Sequence, residues 1–497
     1  MSTASAIPPV GIGTKLIYGF GSLAYGVKDV AFRAYILIFY NQVVGVSATT
    51  VSAAIFVALI LDAVIDPAIG QWSDNFRSRF GRRHPFMYAS AVPVAGTFLL
   101  VWLPPSGWSD AAMFWWILGV AVMVRGFLSL YEIPSSSLAP ELSRDYDERT
   151  SILSYRYFFG YLGGLGMSFA ALKIFLAPTA DYPIGQLNPA GYWHFAIAGA
   201  IVMLASILLS AMGTHHRIKY MRQLPPPPRV SLGQTLRHMG ESFSDRGFLA
   251  LMSFGVLKYT AVGLYAALAI YFGTYLWQLN SGALAILSLD GILAAAGAMW
   301  LAPFLSKRIG KTAAAFSLAV LAVLVVSVPY ALRLAGLFWD NGSPALVPAL
   351  FVFQGIFGLC GIASMILTAS MVSDVTDASE VRTGRRTEGL FFAAASFMQQ
   401  CVSGLGIMVA GVVIDLAGLT PGTTPADVPL EVVNRLVLYA IPLVVGLYIV
   451  GACFLYFYRH TRESHDANIA TLGEAGALVD EPDPGAKKAA IAHTQIS

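Results

Sequence analysis

Charged residues are scarce in this chain. Asp, Glu, Lys and Arg make up only 12% of the 497 residues, whereas 56% are hydrophobic. Soluble domains carry about 25% charged residues, so the composition excludes a water-soluble globular enzyme. The formal net charge of +3 is too small to indicate nucleic-acid binding, and we expect no nucleic-acid partner.

Cysteine is equally rare, and no motif for covalent chemistry is present. Cys360, Cys401 and Cys453 all lie in apolar runs and lack the Cys-x-x-Cys spacing of redox or metal sites. No cluster of metal ligands and no nucleophile motif appears, so we expect neither an enzyme nor a cofactor. Residues 1–13 lack the basic and apolar regions of a cleaved signal peptide.

Long apolar runs, by contrast, fill most of the chain. A helix needs about 20 apolar residues to cross the hydrocarbon layer of a bilayer. Twelve runs of this kind are predicted to span a membrane, and we number them in chain order as spans 1 to 12. Their approximate limits are 16–44, 48–70, 85–105, 111–139, 152–178, 190–213, 248–277, 282–304, 312–334, 344–372, 389–418 and 431–458.

The basic residues predict how these spans are oriented. Most of the 31 Lys and Arg residues lie in the N-terminal segment, the even-numbered connections and the C-terminal tail. Because basic loops remain on the cytoplasmic side during insertion, both termini are predicted to be cytoplasmic.

The longest cytoplasmic connection divides the spans six and six. It contains four consecutive prolines, 225–228, which cannot continue a helix. We therefore predict an N-terminal half (1–213), a linker (214–247), a C-terminal half (248–458) and a disordered tail (459–497). Two six-helix bundles are the organisation of the major facilitator fold, whose substrate site lies at the midplane between them.

Ten charged residues lie deep enough in the spans to require an explanation. Each centred charge opposes insertion by about 2.5–3.5 kcal/mol, so these side chains should face the protein interior or a hydrated cavity. Eight of them lie in the first half. The ten are Lys28, Asp29, Arg33, Asp62, Asp66, Arg125, Glu132, Arg156, Lys258 and Asp290.

Asp62 and Asp66 give the strongest indication of a site. At positions i and i+4 they share one face of span 2, and two carboxylates in an apolar helix repel each other unless a cation joins them. The pair therefore predicts a proton or cation site. The alternative is a structural ion pair with Lys28, Arg33 or Arg125.

Spans 4 and 5 add a second set of polar residues. Arg125, Ser129 and Glu132 follow one face of span 4, and the Ser129 hydroxyl would complete an oxygen shell around a small cation. The alternative is that the Ser129 hydroxyl only donates a hydrogen bond to the backbone carbonyl of Arg125. Arg156 is flanked by aromatic residues, which suits a polar solute, but it is also a candidate counter-ion for Glu132.

The remaining charges leave alternatives open. Asp29 and Arg33 are four residues apart and can pair with each other, whereas Lys28 points about 100° away from Asp29. In the second half, we interpret Lys258 and Asp290 as a structural pair rather than as solute ligands.

The motifs resemble the family of glycoside–pentoside–hexuronide:cation symporters. The resemblance is most specific in residues 62–70, which begin Asp-Ala-Val-Ile-Asp-Pro, and in the arginine-rich segment 77–86 that follows. It extends over about residues 14–458. Four shorter stretches agree with the family: residues 15–29, 132–134, 155–159 and 383–389.

The resemblance implies roles for individual residues. It implies that Asp62, Asp66 and Ser129 bind the co-transported cation, H⁺ or Na⁺. It implies that the solute is bound by Lys28, Asp29, Glu132, Arg156 and Gln400.

Three residues depart from the family pattern. Ile65 stands where the family has a cation-liganding asparagine, and this loss of an oxygen favours proton coupling. Gln400 stands at the position of a lysine in span 11 of the family, and Ser136 stands at that of a sugar-stacking tryptophan.

Basic residues near the cytoplasmic ends are candidate gate contacts. Arg82 and Arg83 are expected to pair with Glu141, Asp147 or Glu388 when the inner side closes. The alternative is that these arginines only direct membrane insertion.

The function predicted from these observations is secondary active symport of a sugar or glycoside with a cation by alternating access. The alternative solute is a lysolipid-like or organic-acid compound. A non-transporting membrane sensor has little support, because no further soluble domain follows the spans. The expected location is a bilayer, the cytoplasmic (inner) membrane of a bacterium.

Overall fold

The computed structural model describes residues 8–143, 146–220, 246–383 and 388–458. Side chains are described for these residues except at 140, 146–147, 150, 246, 373, 376–383, 388–401 and 403. Most of the predicted linker and the whole predicted tail, 459–497, lie outside the described residues.

Every regular element in the described residues is helical, which confirms the predicted all-α fold. Ten helical stretches among them are long and apolar enough to cross a membrane. Helix starts follow from local chemistry: the Ser47 hydroxyl accepts a hydrogen bond from the amide of Thr50 at the start of span 2, and Asn188 caps span 6, which begins with Pro189.

The spans of the first half keep the predicted order. Span 1 differs from the prediction because it is not one continuous α-helix: helices Ile12–Phe20, Leu23–Val30 and Ile36–Ile38 alternate with π-helical turns Ala31–Tyr35 and Phe39–Val44. Spans 2 to 6 are the helices Ala48–Asn75, His84–Val101, Asp110–Leu142, Tyr146–Ala170 and Pro189–His215. A π-helical turn, Ala171–Phe175, extends span 5.

The second half repeats this series. Span 7 is Arg246–Tyr271 with the π-helical turn Phe272–Leu276, and span 8 is interrupted, with helices Ser281–Leu287 and Asp290–Ile309. Spans 9 to 12 are Lys311–Leu334, Leu346–Thr383, Glu388–Ala417 and Leu430–Phe454.

Helix packing is the same in the two series of six spans. In the first, span 4 packs on spans 2 and 3, span 6 packs on span 3, and span 1 packs on spans 5 and 6. The second repeats each of these contacts six spans later. The two series meet where span 2 packs on span 11, span 1 on span 7 and span 5 on span 8. Spans 2 and 5, which carry the predicted site residues Asp62, Asp66 and Arg156, therefore lie at this interface.

Spans 1 and 5 cross at a contact that only glycine allows. A Cβ atom added at Gly26 would lie 2.2 Å from the carbonyl oxygen of Gly160 and 2.4 Å from the amide nitrogen of Gly164. Backbone atoms cannot move aside as a flexible side chain can. This contact fixes the distance between the two helices that carry Lys28, Asp29 and Arg156.

We predict that Gly26→Ala lowers the thermal midpoint of the purified protein in detergent. Alanine favours a helix by about 1 kcal/mol over glycine, but overpacking against backbone costs about 1–3 kcal/mol. Gly166→Ala in span 5 is the control, because a Cβ there meets nothing within 4 Å. A midpoint for Gly26→Ala equal to that of Gly166→Ala would contradict the prediction.

Candidate functional site

The two acids of span 2 face span 4. Oδ2 of Asp62 accepts hydrogen bonds from Nε and Nη2 of Arg125 at 2.9 and 2.5 Å. The Ser129 hydroxyl donates to Oδ1 of Asp66 at 2.6 Å and lies 3.5 Å from Oδ1 of Asp62. The three residues predicted to bind the cation therefore lie in contact with each other. Arg125 contacts one of them, Asp62.

Asp62 and Asp66 differ in their partners. The side chains of Asp62 and Arg125 are only 7% and 9% exposed, so they form the structural ion pair that was the alternative interpretation. Asp66 makes no ion pair with any other residue whose side chain the structure describes. Its partner there, Ser129, is neutral. A carboxylate placed in this way gains electrostatic stabilisation from a proton or cation that arrives from outside.

Pro67 leaves one backbone oxygen of span 2 without its helical hydrogen bond. Span 2 continues through this proline, but proline has no amide hydrogen to donate to the carbonyl one turn earlier. The carbonyl of Ala63 is thereby left without its usual helical donor, on the turn that carries both acids.

A second ionic cluster joins spans 4 and 5. Arg156 pairs with Glu132 and donates hydrogen bonds to the Ser135 hydroxyl at 3.0 Å and to the Tyr18 hydroxyl at 3.3 Å. Arg156 is thus the counter-ion of Glu132, one of the two alternatives. Oε2 of Glu132 is buried and has no hydrogen-bond partner in the described structure, so it is free to accept a hydrogen bond from a solute.

Sequence reasoning missed Tyr18 and Ser135 as members of this cluster. Both are fully buried, and the Tyr18 hydroxyl also donates to the carbonyl of Ser135 at 2.7 Å. Helical spacing gives one indication, because Ser135 lies three residues after Glu132 on the same face. Tyr18 gives none, since it joins the cluster from another span.

The two basic residues in the middle of span 1, Lys28 and Arg33, have different surroundings. Arg33 Nη2 lies 3.0 Å from Asp29 Oδ1, and these side chains are 52% and 36% exposed, so the pairing within one helix occurs. Lys28 is buried on another face, with its Nζ 4.4 Å from the centre of the Tyr25 ring. No anionic side chain among those described pairs with Lys28.

In the second half, Lys258 and Asp290 do not pair, so the interpretation of these residues as a structural pair is wrong. The Lys258 side chain is buried and its Nζ donates to the carbonyl of Gly361 at 3.3 Å, on span 10. Asp290 begins the second helix of span 8. Their positions on spans 7 and 8 did not predict that Lys258 would bind a backbone carbonyl of span 10 and not Asp290. The side chain of Gln400 lies outside the described residues.

Arg82 and Arg83, which are predicted to lie on the cytoplasmic side, contact residues of their own half. Arg82 and Arg83 bind Oε1 of Glu141 at 2.7 and 3.1 Å, and Arg83 also binds Asp74 at 2.5 Å. The Ser73 hydroxyl accepts a further bond from Arg83 at 2.8 Å. These contacts hold the neighbouring ends of spans 2, 3 and 4 together.

The second half has an equivalent ion pair between spans 9 and 10. Nζ of Lys311 lies 2.7 Å from both carboxylate oxygens of Asp374. The side chains of Asp147 and Glu388, the other predicted partners of the arginines, lie outside those described. A contact between halves through Arg82 or Arg83 therefore stays a prediction.

We predict that Asp62→Asn destabilises the protein more than Asp66→Asn does. The first change leaves a buried Arg125 without its carboxylate, which costs about 3–5 kcal/mol, whereas the second removes a carboxylate that has no resident counter-ion. Thermal midpoints of the two variants in the same detergent measure the difference. Equal midpoints, or a lower one for Asp66→Asn, would show that Arg125 is not committed to Asp62.

Comparison with known proteins assigns the family. A family model described as MFS/sugar transport protein matches residues 17–462. A symporter of Synechocystis sp., itself uncharacterized, is 24% identical and aligns over 94% of this chain and 97% of its own. The isoprimeverose transporter of Lactiplantibacillus pentosus is 24% identical over 81% of this chain and 80% of its own.

Solved structures agree on the fold. The crystal structure of a D-xylose–proton symporter superimposes with a TM-score of 0.61, at 13% identity, and covers 91% of this chain and 98% of the symporter. At that identity the likeness concerns the fold alone. Because the family model covers most of the sequence, this chain belongs to the MFS/sugar transport protein family and is an integral membrane transporter with the major facilitator fold.

Proposed function

We propose that this protein is a symporter that couples uptake of a sugar or glycoside to the entry of a cation by alternating access. The observation that carries the proposal is the unequal pairing of the two acids on span 2. Asp62 has a resident arginine, and Asp66 has only the Ser129 hydroxyl at 2.6 Å. The names of the relatives, a symporter and an isoprimeverose transporter, support the same class of reaction.

The charge of the cluster explains why it would accept one cation at a time. With both acids ionised, Asp62, Asp66 and Arg125 carry a net charge of −1 in a membrane span. One bound proton or monovalent cation makes the cluster neutral, and a neutral cluster is less costly to enclose when the halves close around it. Movement of the halves is then favoured in the occupied state.

The available oxygens favour a proton over Na⁺. Arg125 donates two hydrogen bonds to Oδ2 of Asp62, and Ile65 contributes no ligand atom. A metal ion would be left with Asp66, Ser129, the second oxygen of Asp62 and the backbone carbonyl of Ala63, whereas a proton needs only Asp66. We therefore propose Asp66 as the residue that carries the coupling proton.

The solute is proposed to bind next to this cluster. Glu132 has a free buried oxygen that would accept a sugar hydroxyl, and Arg156 holds that carboxylate in place. Lys28 and Asp29 would add a donor and an acceptor from span 1. Gln400 is proposed as a contact from span 11.

Span 4 would couple the two sites. Ser129 of the cation site and Glu132 of the solute site are three residues apart on the same helix, so a shift of span 4 moves both. Binding of one solute would then lower the free energy required to bind the other, and this coupling is reciprocal.

The wider organisation follows from the same mechanism. Residues 1–213 and 248–458 would act as the two moving halves, joined by the linker 214–247 and followed by the tail 459–497. The basic loops and the bacterial relatives support cytoplasmic termini and a location in the cytoplasmic membrane. Arg82 and Arg83, with Glu141 and Glu388, are proposed as inner-gate contacts.

A lysolipid-like or organic-acid solute is the second candidate. It is favoured by Lys28 and Lys258, two buried lysines without an anionic partner among the described side chains, since an anionic group would neutralise them. Competition separates the candidates: glycosides should displace a bound ligand under the first proposal, and acyl compounds or carboxylic acids under the second.

We predict that Asp66→Asn abolishes accumulation against a gradient while exchange of solute across the membrane continues. Without an ionisable group, the site stays neutral whether or not a proton is available, so inward movement no longer depends on the proton gradient. Uptake and counterflow in right-side-out vesicles measure the two activities. Asp427→Asn, in an exposed loop where Asp427 bonds Thr424, is the control, and wild-type accumulation by Asp66→Asn would refute the assignment.

We further predict that an inward pH gradient, acidic outside, drives accumulation in wild-type vesicles and that a Na⁺ gradient at equal pH does not. A panel of radiolabelled glycosides, tested under both gradients, identifies the solute and the ion together. Accumulation driven by Na⁺ alone would overturn the proton assignment and leave the symport proposal standing.

A further inference from the structure

Hydrogen bonds join the two halves at the ends of the spans that are predicted to lie outside the cell. The Tyr271 hydroxyl donates to Asn41 at 3.0 Å, and the amide of Thr423 donates to Gln42 at 3.2 Å. The Gln186 side chain reaches the second half at Thr274 and Leu279. The two halves are therefore in contact at the end that is predicted to be extracellular.

A further contact between the two halves involves a carboxylate. Oδ1 and Oδ2 of Asp415, at the end of span 11, accept hydrogen bonds from the amides of Ala48 and Thr49 at 3.2 and 2.8 Å. These are the first two residues of the helix of span 2, and the third amide, that of Thr50, is bonded to the Ser47 hydroxyl. The second half thus supplies acceptors for two amides that the first half leaves free.

The position of Asp415 is unfavourable within its own helix. Asp415 lies in the last turn of span 11, where the helix dipole disfavours a negative charge, whereas the start of a helix favours one. A cap across the interface accounts for the charge at this position. The favourable interaction with the start of span 2 offsets the unfavourable one within span 11.

Close packing of the two helices supports the same contact. A Cβ atom at Gly411, one turn before Asp415, would lie 2.0 Å from Oγ of Ser52 and 2.4 Å from the carbonyl oxygen of Ala48. The Ser52 hydroxyl also lies 3.4 Å from the carbonyl of Met408. Spans 2 and 11 therefore touch along more than one turn beside the cap.

We propose that Asp415 is the latch of the extracellular gate: its carboxylate caps span 2 across the interface and holds the outer end closed. Opening to the outside separates the carboxylate from the two amides, and water must replace both partners. The latch therefore sets the ratio of outward-open to outward-closed protein. It acts without contact to solute or coupling cation, so it is a positioning residue.

The test measures access from outside without any substrate, so its result is independent of the proposed solute and cation. Ile55 is buried in span 2 on the stripe that also carries Ala48 and Ser52, and Ile55→Cys in a chain without its three native cysteines reports outward opening. Labelling of intact cells with a membrane-impermeant maleimide gives the rate. We expect Asp415→Asn and Asp415→Ala to raise this rate, by about tenfold for the alanine variant.

A second variant breaks the latch from the other side. Ala48→Pro removes one of the two amide hydrogens, and Ser47 already has the extended backbone that a residue before proline requires. We expect faster labelling here too. The matched control is Asp110→Asn, because Asp110 bonds the amide of Ser47 at 3.4 Å from within the first half.

Only variants that elute from a size-exclusion column at the same volume as the parent are compared. Their labelling rates then distinguish the possible outcomes. Faster labelling in the Asp415 and Ala48 variants, with an unchanged rate in Asp110→Asn, supports the latch. Labelling of the Asp415 variants at the parental rate would overturn it. An equal increase in Asp110→Asn would also overturn it, because the effect would then come from the helix start and not from the contact between halves.

Discussion

A carboxylate in a membrane span is costly unless a positive charge is close to it, and the candidate site depends on how this cost is met at two neighbouring acids. Arg125 meets it permanently for Asp62. Asp66, one turn away, has a neutral hydroxyl as its partner. In the proposed cycle the missing charge at Asp66 is supplied from outside, and this makes the cluster responsive to a proton gradient. Had Arg125 lain between the two acids, the cluster would still carry a net charge of −1, but the excess negative charge would be shared by both carboxylates and not concentrated at Asp66.

The ionic clusters of the first half also order its helices. The bond from Arg125 ties span 4 to span 2, and the bonds of Arg156 tie span 5 to span 4 and to Tyr18 of span 1. The proposed cation site and the proposed solute site therefore lie on one connected set of helices. The second half has charges of its own in Lys258 and Asp290, but they do not pair with each other, and Lys258 binds a backbone carbonyl of span 10.

The two ends of the molecule use charge in different ways. At the end predicted to be cytoplasmic, Arg83 pairs with Glu141 and Lys311 pairs with Asp374, so each half has the same kind of internal ion pair. At the other end, Asp415 crosses from one half to the other. Bonds within a half can persist while the halves move, whereas a bond between halves must break, and this difference makes the contact at Asp415 suited to control opening.

The sequence by itself determined the apolar spans, their division into two series, and the shared face of Asp62 and Asp66, because these depend on hydrophobic length and on a helical period that each segment carries locally. It also indicated that Ser129 lies on the face with Arg125. It did not predict the π-helical turns of span 1 or the interruption of span 8. Only the tertiary structure decided that Arg125 binds Asp62 and leaves Asp66, that Lys258 and Asp290 stay apart, and that Asp415 caps span 2. Partners of this kind depend on the relative height and rotation of helices that are distant in the chain, and no local pattern in either helix fixes those quantities.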